Sequence, residues 1–230
     1  MYGLYIANKN YSSWSLRPWV VMRELQIAFE EHLLPFGQSS DWEGFRKISP
    51  SGKVPCLIDG DDVVWDSLSI VEYLAERHDR VWPANPAARA WARSASAEMH
   101  SGFSELRSRC SMSCGVRVRL HETPAALERD LARIGALWND GLHRFAGPFL
   151  AGPTFTAVDA FFAPVAFRIQ TFGLRLDPVA AAYGARLLGL GSMREWYAAA
   201  LKERQRDDAH DAEVLQSGRI VEDLRAIRLP

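Results

Sequence analysis

The sequence predicts a mixed α/β module followed by a helical bundle, and three observations carry that reading. Within about the first 80 residues the patterning runs strand, helix, strand, helix, strand, strand, helix. A proline-marked break, Trp82-Pro83-Ala84-Asn85-Pro86, follows. Beyond it the chain is rich in Ala, Arg and Leu at helical spacing, without a convincing alternating segment. Residues 1–80 are expected to form one domain and 87–230 an all-helical second one, a division that suits a chain of 230 residues.

The elements follow in order. Tyr2 to Ala7 is a short apolar run ending in Asn8-Lys9-Asn10, the mark of a buried strand leaving into a loop. Leu16 to Leu25 carries Trp19, Val20, Met22 and Leu25 near helical spacing. Phe29 to Leu34 reads as a second strand and Asp41 to Ile48 as a short helix. Val54 to Ile58 and Val63 to Trp65 are strands joined through Asp59-Gly60-Asp61, where the Asp-Gly pair signals a hairpin. Ser67 to Arg77 is a helix opened by a capping residue. This order suits the thioredoxin fold. Helical stretches then fall near 87–109, 124–145, 157–170, 179–188 and 193–204, and the polar tail after Lys202 carries no signal.

Charge and cysteine content narrow the function. With 27 basic against 28 acidic side chains, the net charge of -1 offers no basic patch for nucleic acid or an anionic membrane. No run of about 18 apolar residues occurs to span a bilayer, and the N-terminus lacks a signal segment. Three cysteines do not make the disulfide framework of a small secreted domain, so the expected compartment is the cytoplasm. The expected partner is a small molecule or another protein.

Three segments carry candidate chemistry. In Tyr11-Ser12-Ser13-Trp14-Ser15-Leu16-Arg17-Pro18, proline has no N–H and is expected no deeper than the third helical position, so the helix should begin after Ser15. Ser12 and Ser13 then precede a helix N-terminus, where free backbone donors and the helix dipole favour an anion such as a thiolate, or where the serines merely cap the helix. Ser49-Pro50-Ser51-Gly52-Lys53-Val54-Pro55-Cys56-Leu57 enters a strand through a proline that base rate alone makes trans. Trp65-Asp66-Ser67-Leu68-Ser69-Ile70 sets a carboxylate and a hydroxyl at the mouth of another helix, with Ser67 as a plain N-cap the simpler alternative.

Together these segments resemble the cytosolic glutathione transferase superfamily, whose N-terminal domain has a catalytic hydroxyl after the first strand, a cis-proline opening the third strand and an acidic-Ser or Gln-Ser pair opening the third helix. Ser-Ser-x-Ser-x-Arg at 12–17 looks most like the zeta class, which usually has cysteine where this chain has Trp14. The stretch from Asn8 to Trp19 is closer still to a large bacterial group whose substrates are mostly unassigned. The resemblance implies glutathione as co-substrate and Ser12 as the hydroxyl facing its sulfur, with Ser13 or Ser15 as alternatives. It implies that Val54, beside a cis Pro55, pairs with the cysteinyl peptide. Asp66 would take the γ-glutamyl ammonium and Ser67 the γ-glutamyl carboxylate, while Lys53 and Gln38 lie toward the glycyl end. The implied activity is a detoxifying transferase acting on a small, hydrophobic electrophile, with isomerase or peroxidase chemistry or a non-catalytic binding module as alternatives. A homodimer is also implied.

The second half adds a check and several candidates. Thr156-Ala157-Val158-Asp159 has capping-box spacing, a structural feature that the same family shares. Trp14, His100, Phe103, Arg107 and Met112 are candidates for the second-substrate pocket, with the run 98–107 expected on one long helix. Cys110 and Cys114 could meet on a helical face, but without a His or carboxylate cluster they read as packing or pocket residues rather than a metal site. Cys56 reads as a small buried hydrophobe.

Overall fold

The computed structural model describes residues 1–37 and 42–226. Gln38 lies outside the described residues.

A sheet ordered β2-β1-β3-β4 organises the first part of the chain, built from β1 (Tyr2–Ile6), β2 (Phe29–Leu33), β3 (Cys56–Asp59) and β4 (Asp62–Val64). β1 and β2 run parallel, from Tyr2 opposite Phe29 to Ile6 opposite Leu33. That pairing requires a crossover, which α1 (Ser13–Glu24) provides. β3 lies antiparallel to β1 and turns back into β4 through Gly60, whose φ of 61° is left-handed and suits glycine. α2 (Trp42–Arg46) and α3 (Ser67–Ala75) complete this part. The predicted thioredoxin-like order is therefore present, with the peptide bond Val54–Pro55 cis rather than trans as base rate alone had it; Trp65–Asp66 is cis as well.

α1 begins at Ser13, three residues earlier than expected, and so contains Pro18 at its sixth position. A proline there forfeits one helical hydrogen bond at a cost of about 3 kcal/mol. Against that, α1 fully buries Leu16, Trp19, Val20, Val21 and Met22. Each such burial contributes about 1.5–3 kcal/mol, so packing outweighs the local defect.

The remaining helices are α4 (Pro86–Ser101), α5 (Ser104–Arg109), α6 (Ala125–Arg144), α7 (Ala157–Phe172), α8 (Pro178–Leu188), α9 (Gly191–Lys202) and α10 (Asp208–Ser217). Nearly every residue of α7 is buried, and it packs against α1, α4 and α8. This helix is the joint between the two parts. Its first turn closes the expected box: Asp159 Oδ2 accepts from the Thr156 amide at 2.9 Å. Asp159 Oδ1 also accepts from the Leu150 amide at 3.0 Å and from Tyr183 Oη at 2.7 Å. No helix among the described residues is long and apolar enough to cross a membrane.

Several expectations for this half are corrected. The stretch 87–109 is two helices, because the chain turns at Gly102 and at Phe103, whose φ of 60° is left-handed. The half is not purely helical: β5 (Val116–Leu120) pairs antiparallel with β6 (Gly218–Asp223). Val116 and Val118 are buried while Arg117 between them is half-buried and Arg119 is exposed, a period-2 pattern whose partner strand lies too far along the chain to give a local hairpin signal. The tail after Lys202 is likewise ordered into α10 and β6. Its anchor is Arg225, which donates to Asp211 Oδ1 at 2.6 Å and to Tyr11 Oη at 3.1 Å. Cys110 ends α5 and Cys114 follows outside it, so the two do not share a helical face; both are free and buried. Burial raises the Cys110 thiol to about 12.

Candidate functional site

The start of α1 is fixed by its approach. The amides of Tyr11 and Ser12 both donate to the Asn8 carbonyl, at 3.1 and 2.9 Å, turning the chain so that Ser12 becomes the N-cap residue. Ser12 Oγ donates to Ser15 Oγ at 2.7 Å, and Ser15 Oγ also accepts from the Ala7 amide at 3.3 Å. Ser15 is thereby turned into the protein. Ser13 Oγ accepts from Arg168 Nη2 of α7 at 3.4 Å.

A cleft of about 330 Å³ opens beside this turn, between the two parts of the chain. Of the residues singled out from sequence, Ser12, Ser13, Trp14, Lys53, Val54, Arg107 and Met112 line it. A larger depression of about 1240 Å³ lies between β5, α6 and the end of α7, and none of the singled-out residues lines it.

Asp66 and Ser67 stand at the head of α3, outside the cleft wall but joined to it through two rings. The N-cap is Asp66, not Ser67: its Oδ1 accepts from the Leu68 amide at 3.0 Å. Ser67 Oγ is buried and has no hydrogen-bond partner. Asp66 Oδ2 lies 3.3 Å from His100 Nε2, and the His100 ring meets Trp14 edge-on with centroids 5.1 Å apart. Burial lowers the His100 pKa below 6.5; Asp66 opposes that shift, and Arg17 and Arg107 add to it.

Of the expected pocket residues, His100 and Phe103 do not line the cleft, and Arg107 lines it with donors engaged elsewhere. Phe103 is packed in the hydrophobic core, and it does not line the cleft. Arg107 lines the cleft while folding back onto the end of α4, donating to the carbonyls of Gly102, at 2.9 Å, and Met99. Pro55 and Cys56 are buried at the entry to β3.

The cleft carries more positive charge than the aromatic-rich wall expected from Trp14, His100, Phe103, Arg107 and Met112: Arg107 and Arg168 line it, and Arg17 lies behind Trp14. Arg17 is fully buried, its guanidinium 4.2 Å from the Trp14 ring centroid and 5.0 Å from that of Phe161, with no hydrogen-bond partner at any of its three nitrogens. Arg168 is 4% exposed and donates through Nε to the Cys110 carbonyl at 2.7 Å, while its Nη1 has no partner. Burial, and next the Arg107 charge, push Arg168 down to about 10.

Sequence reasoning missed Tyr11, Phe36, Arg168, His210 and Glu213, all of which line the cleft. Arg168 did carry a signal: with Asp159 it is one of two charged residues in a mostly apolar α7. His210 and Glu213 sit on α10, which brings the supposedly uninformative tail to the cleft. Among the described residues no group of His, Cys, Asp and Glu could hold a metal ion.

Comparison with known proteins bears on this arrangement. Residues 11–77 match the family model for the glutathione S-transferase N-terminal domain. The chain is 37% identical over 60 residues to a dichloromethane dehalogenase of Methylorubrum extorquens, covering 25% of this chain and 21% of that protein. It is 30% identical over 123 residues to a zeta class glutathione S-transferase of Euphorbia esula, covering 52% of this chain and 55% of that one. The matches thus span about a fifth and about half of those relatives' lengths. Among solved structures, a glutathione transferase homolog from Burkholderia gl BGR1 with bound glutathione superposes with a TM-score of 0.66 at 20% identity, over 86% of this chain and 97% of that one. At that identity the likeness is one of fold.

Proposed function

We propose that the chain is a member of the cytosolic glutathione transferase superfamily, a reading supported by the family-model match over residues 11–77 and the 30% identity to a zeta class transferase, and that its cleft binds glutathione and activates the thiol for attack on a small electrophile. The observation that carries this reading is Ser67 Oγ, a buried hydroxyl without a partner at the head of α3, next to the carboxylate of Asp66. A buried hydroxyl left unsatisfied costs about 1–3 kcal/mol, and a ligand group reaching the head of α3 would supply the missing partner. Ser67 with the first amides of α3 suits the γ-glutamyl carboxylate, and the half-exposed Asp66 suits the γ-glutamyl ammonium.

Val54 then offers its backbone to the cysteinyl peptide, and Lys53 reaches toward the glycyl carboxylate; both line the cleft. Bound glutathione supplies a nucleophilic thiol. Ser12 faces the sulfur and turns its hydroxyl proton from Ser15 Oγ toward it, while the first-turn amides of α1 add positive potential. Trp14 and Met112 offer apolar contact for the second substrate, with His100 behind Trp14.

A homodimer completes the proposal, checked by sedimentation velocity. Calorimetry with glutathione tests the central claim: saturable binding is expected, and no binding at millimolar ligand overturns it. A conjugation assay then separates an enzyme from a binding module.

A further inference from the structure

The electrophile itself has a readable charge. Taking the glutathione reading as its basis, we propose that the second substrate carries a carboxylate, held between the guanidinium groups of Arg107 and Arg168 with the hydroxyl of Ser13 beside them.

The charges around the cleft carry this. Among the described residues that line it, the permanent cations are Lys53, Arg107 and Arg168, and the one carboxylate is Glu213, which sits exposed on α10. Arg168 comes from α7 and is 4% exposed, with Nη1 unpartnered. Arg107 comes from α5 and spends its donors on neutral carbonyls at the end of α4. Behind Trp14, Arg17 adds a third guanidinium without hydrogen-bond partners. The acidic groups acting on this cluster from elsewhere are Asp130 on Arg107 and Asp66 on Arg17. Asp130 is itself engaged by the Leu106 amide at 3.0 Å, and Asp66 by the Leu68 amide and His100.

A guanidinium does not give up its proton to relieve burial. Clustered like charges without a counter-ion are costly to keep from water, and a forked donor matches the two oxygens of a carboxylate. The Arg107 and Arg168 groups repel one another, which is the direction the Arg168 shift takes. An anionic ligand removes the repulsion and supplies the missing acceptor. Ser13 ties this site to the thiol site, because it accepts from Arg168 and directly follows Ser12.

The test uses two electrophiles of one shape, 4-chloro-3-nitrobenzoate and 4-chloro-3-nitrobenzamide, titrated by calorimetry into the full chain saturated with S-methylglutathione, which has no free thiol. The expected result is benzoate binding at least tenfold tighter than the amide, a preference that Arg168→Gln removes and Arg168→Lys partly keeps while S-methylglutathione affinity stays unchanged. Equal affinity of the two compounds for the parent overturns the proposal without recourse to any variant. Displacement of S-methylglutathione by the benzoate also overturns it, by assigning the guanidinium pair to the tripeptide's own carboxylate. Failure of S-methylglutathione to bind, with the benzoate preference intact, sinks the glutathione reading and leaves the anion site standing.

Discussion

The carboxylate of Asp66 and the imidazole of His100 meet across the joint between the two parts of the chain, Oδ2 to Nε2 at 3.3 Å. Asp66 caps α3 and His100 ends α4, so this contact holds the proposed γ-glutamyl site against the helical part.

That relationship predicts a titration. Burial lowers the His100 pKa, against Asp66 and with Arg17 and Arg107, so the ring is neutral at pH 7. Between the lowered value and 6.5 the unfolded chain binds a proton that the folded one does not. The His100 contribution to stability is therefore present above 6.5 and lost as pH falls through the folded value. Imidazole NMR should show His100 titrating below 6.5, and Asp66→Asn should push it lower still. An unshifted ring would refute this.

Asp66→Ala should weaken glutathione binding by about 1.5–3 kcal/mol, the worth of a hydrogen bond to a charged group. The same change removes the α3 cap and should cost about 0.5–2 kcal/mol of stability. Calorimetry reads the first quantity and denaturant unfolding the second; unchanged affinity places the γ-glutamyl site elsewhere.

Ser12→Ala should raise the pKa of the bound thiol while leaving glutathione affinity at low pH nearly intact, because the thiol is protonated there in both proteins. A free thiol near 8.5 is only a few per cent thiolate at pH 7, and lowering it by about two units makes most of it reactive. At roughly 1.4 kcal/mol per unit, one hydroxyl and a helix N-terminus supply energy of that order. Ultraviolet titration of thiolate absorbance decides the matter. Coincident curves would transfer the role to Ser13, Ser15 or a backbone donor.

Asp159→Ala should cost about 3–5 kcal/mol, more than a single cap, because the Leu150 amide, the Thr156 amide and the Tyr183 hydroxyl all lose their acceptor in a buried site. Burial also raises the Asp159 carboxyl from 3.8 to about 6, against those hydrogen bonds. Its contribution is accordingly full below 3.8 and declines as pH rises through about 6, a slope the variant lacks. Urea unfolding across that range measures both effects; a variant as stable as the parent but unable to turn over substrate would give Asp159 a different role.

The sequence by itself determined the order of the thioredoxin-like elements, the place of the proline break and the Thr156/Asp159 box. Each of these is written in local spacing: an apolar period, a turn dipeptide, a hydroxyl three residues before a carboxylate. It also marked Ser12, Ser13, Lys53 and Val54, which come together because β1, from which the chain leads into α1, pairs with β3 in one sheet.

Tertiary structure decided the rest. Pro18 sits inside α1 because burial of the Trp19 face outweighs one missing hydrogen bond. β5 finds its partner about a hundred residues later, and the tail reaches the cleft through the contacts among Arg225, Asp211 and Tyr11. Neither pairing has a local signature, since a short strand or a polar helix is held in place only by what it packs against. The cationic wall is the clearest case. Arg17, Arg107 and Arg168 are spread over 152 positions of an otherwise balanced sequence, and only folding gathers them without enough carboxylates to match.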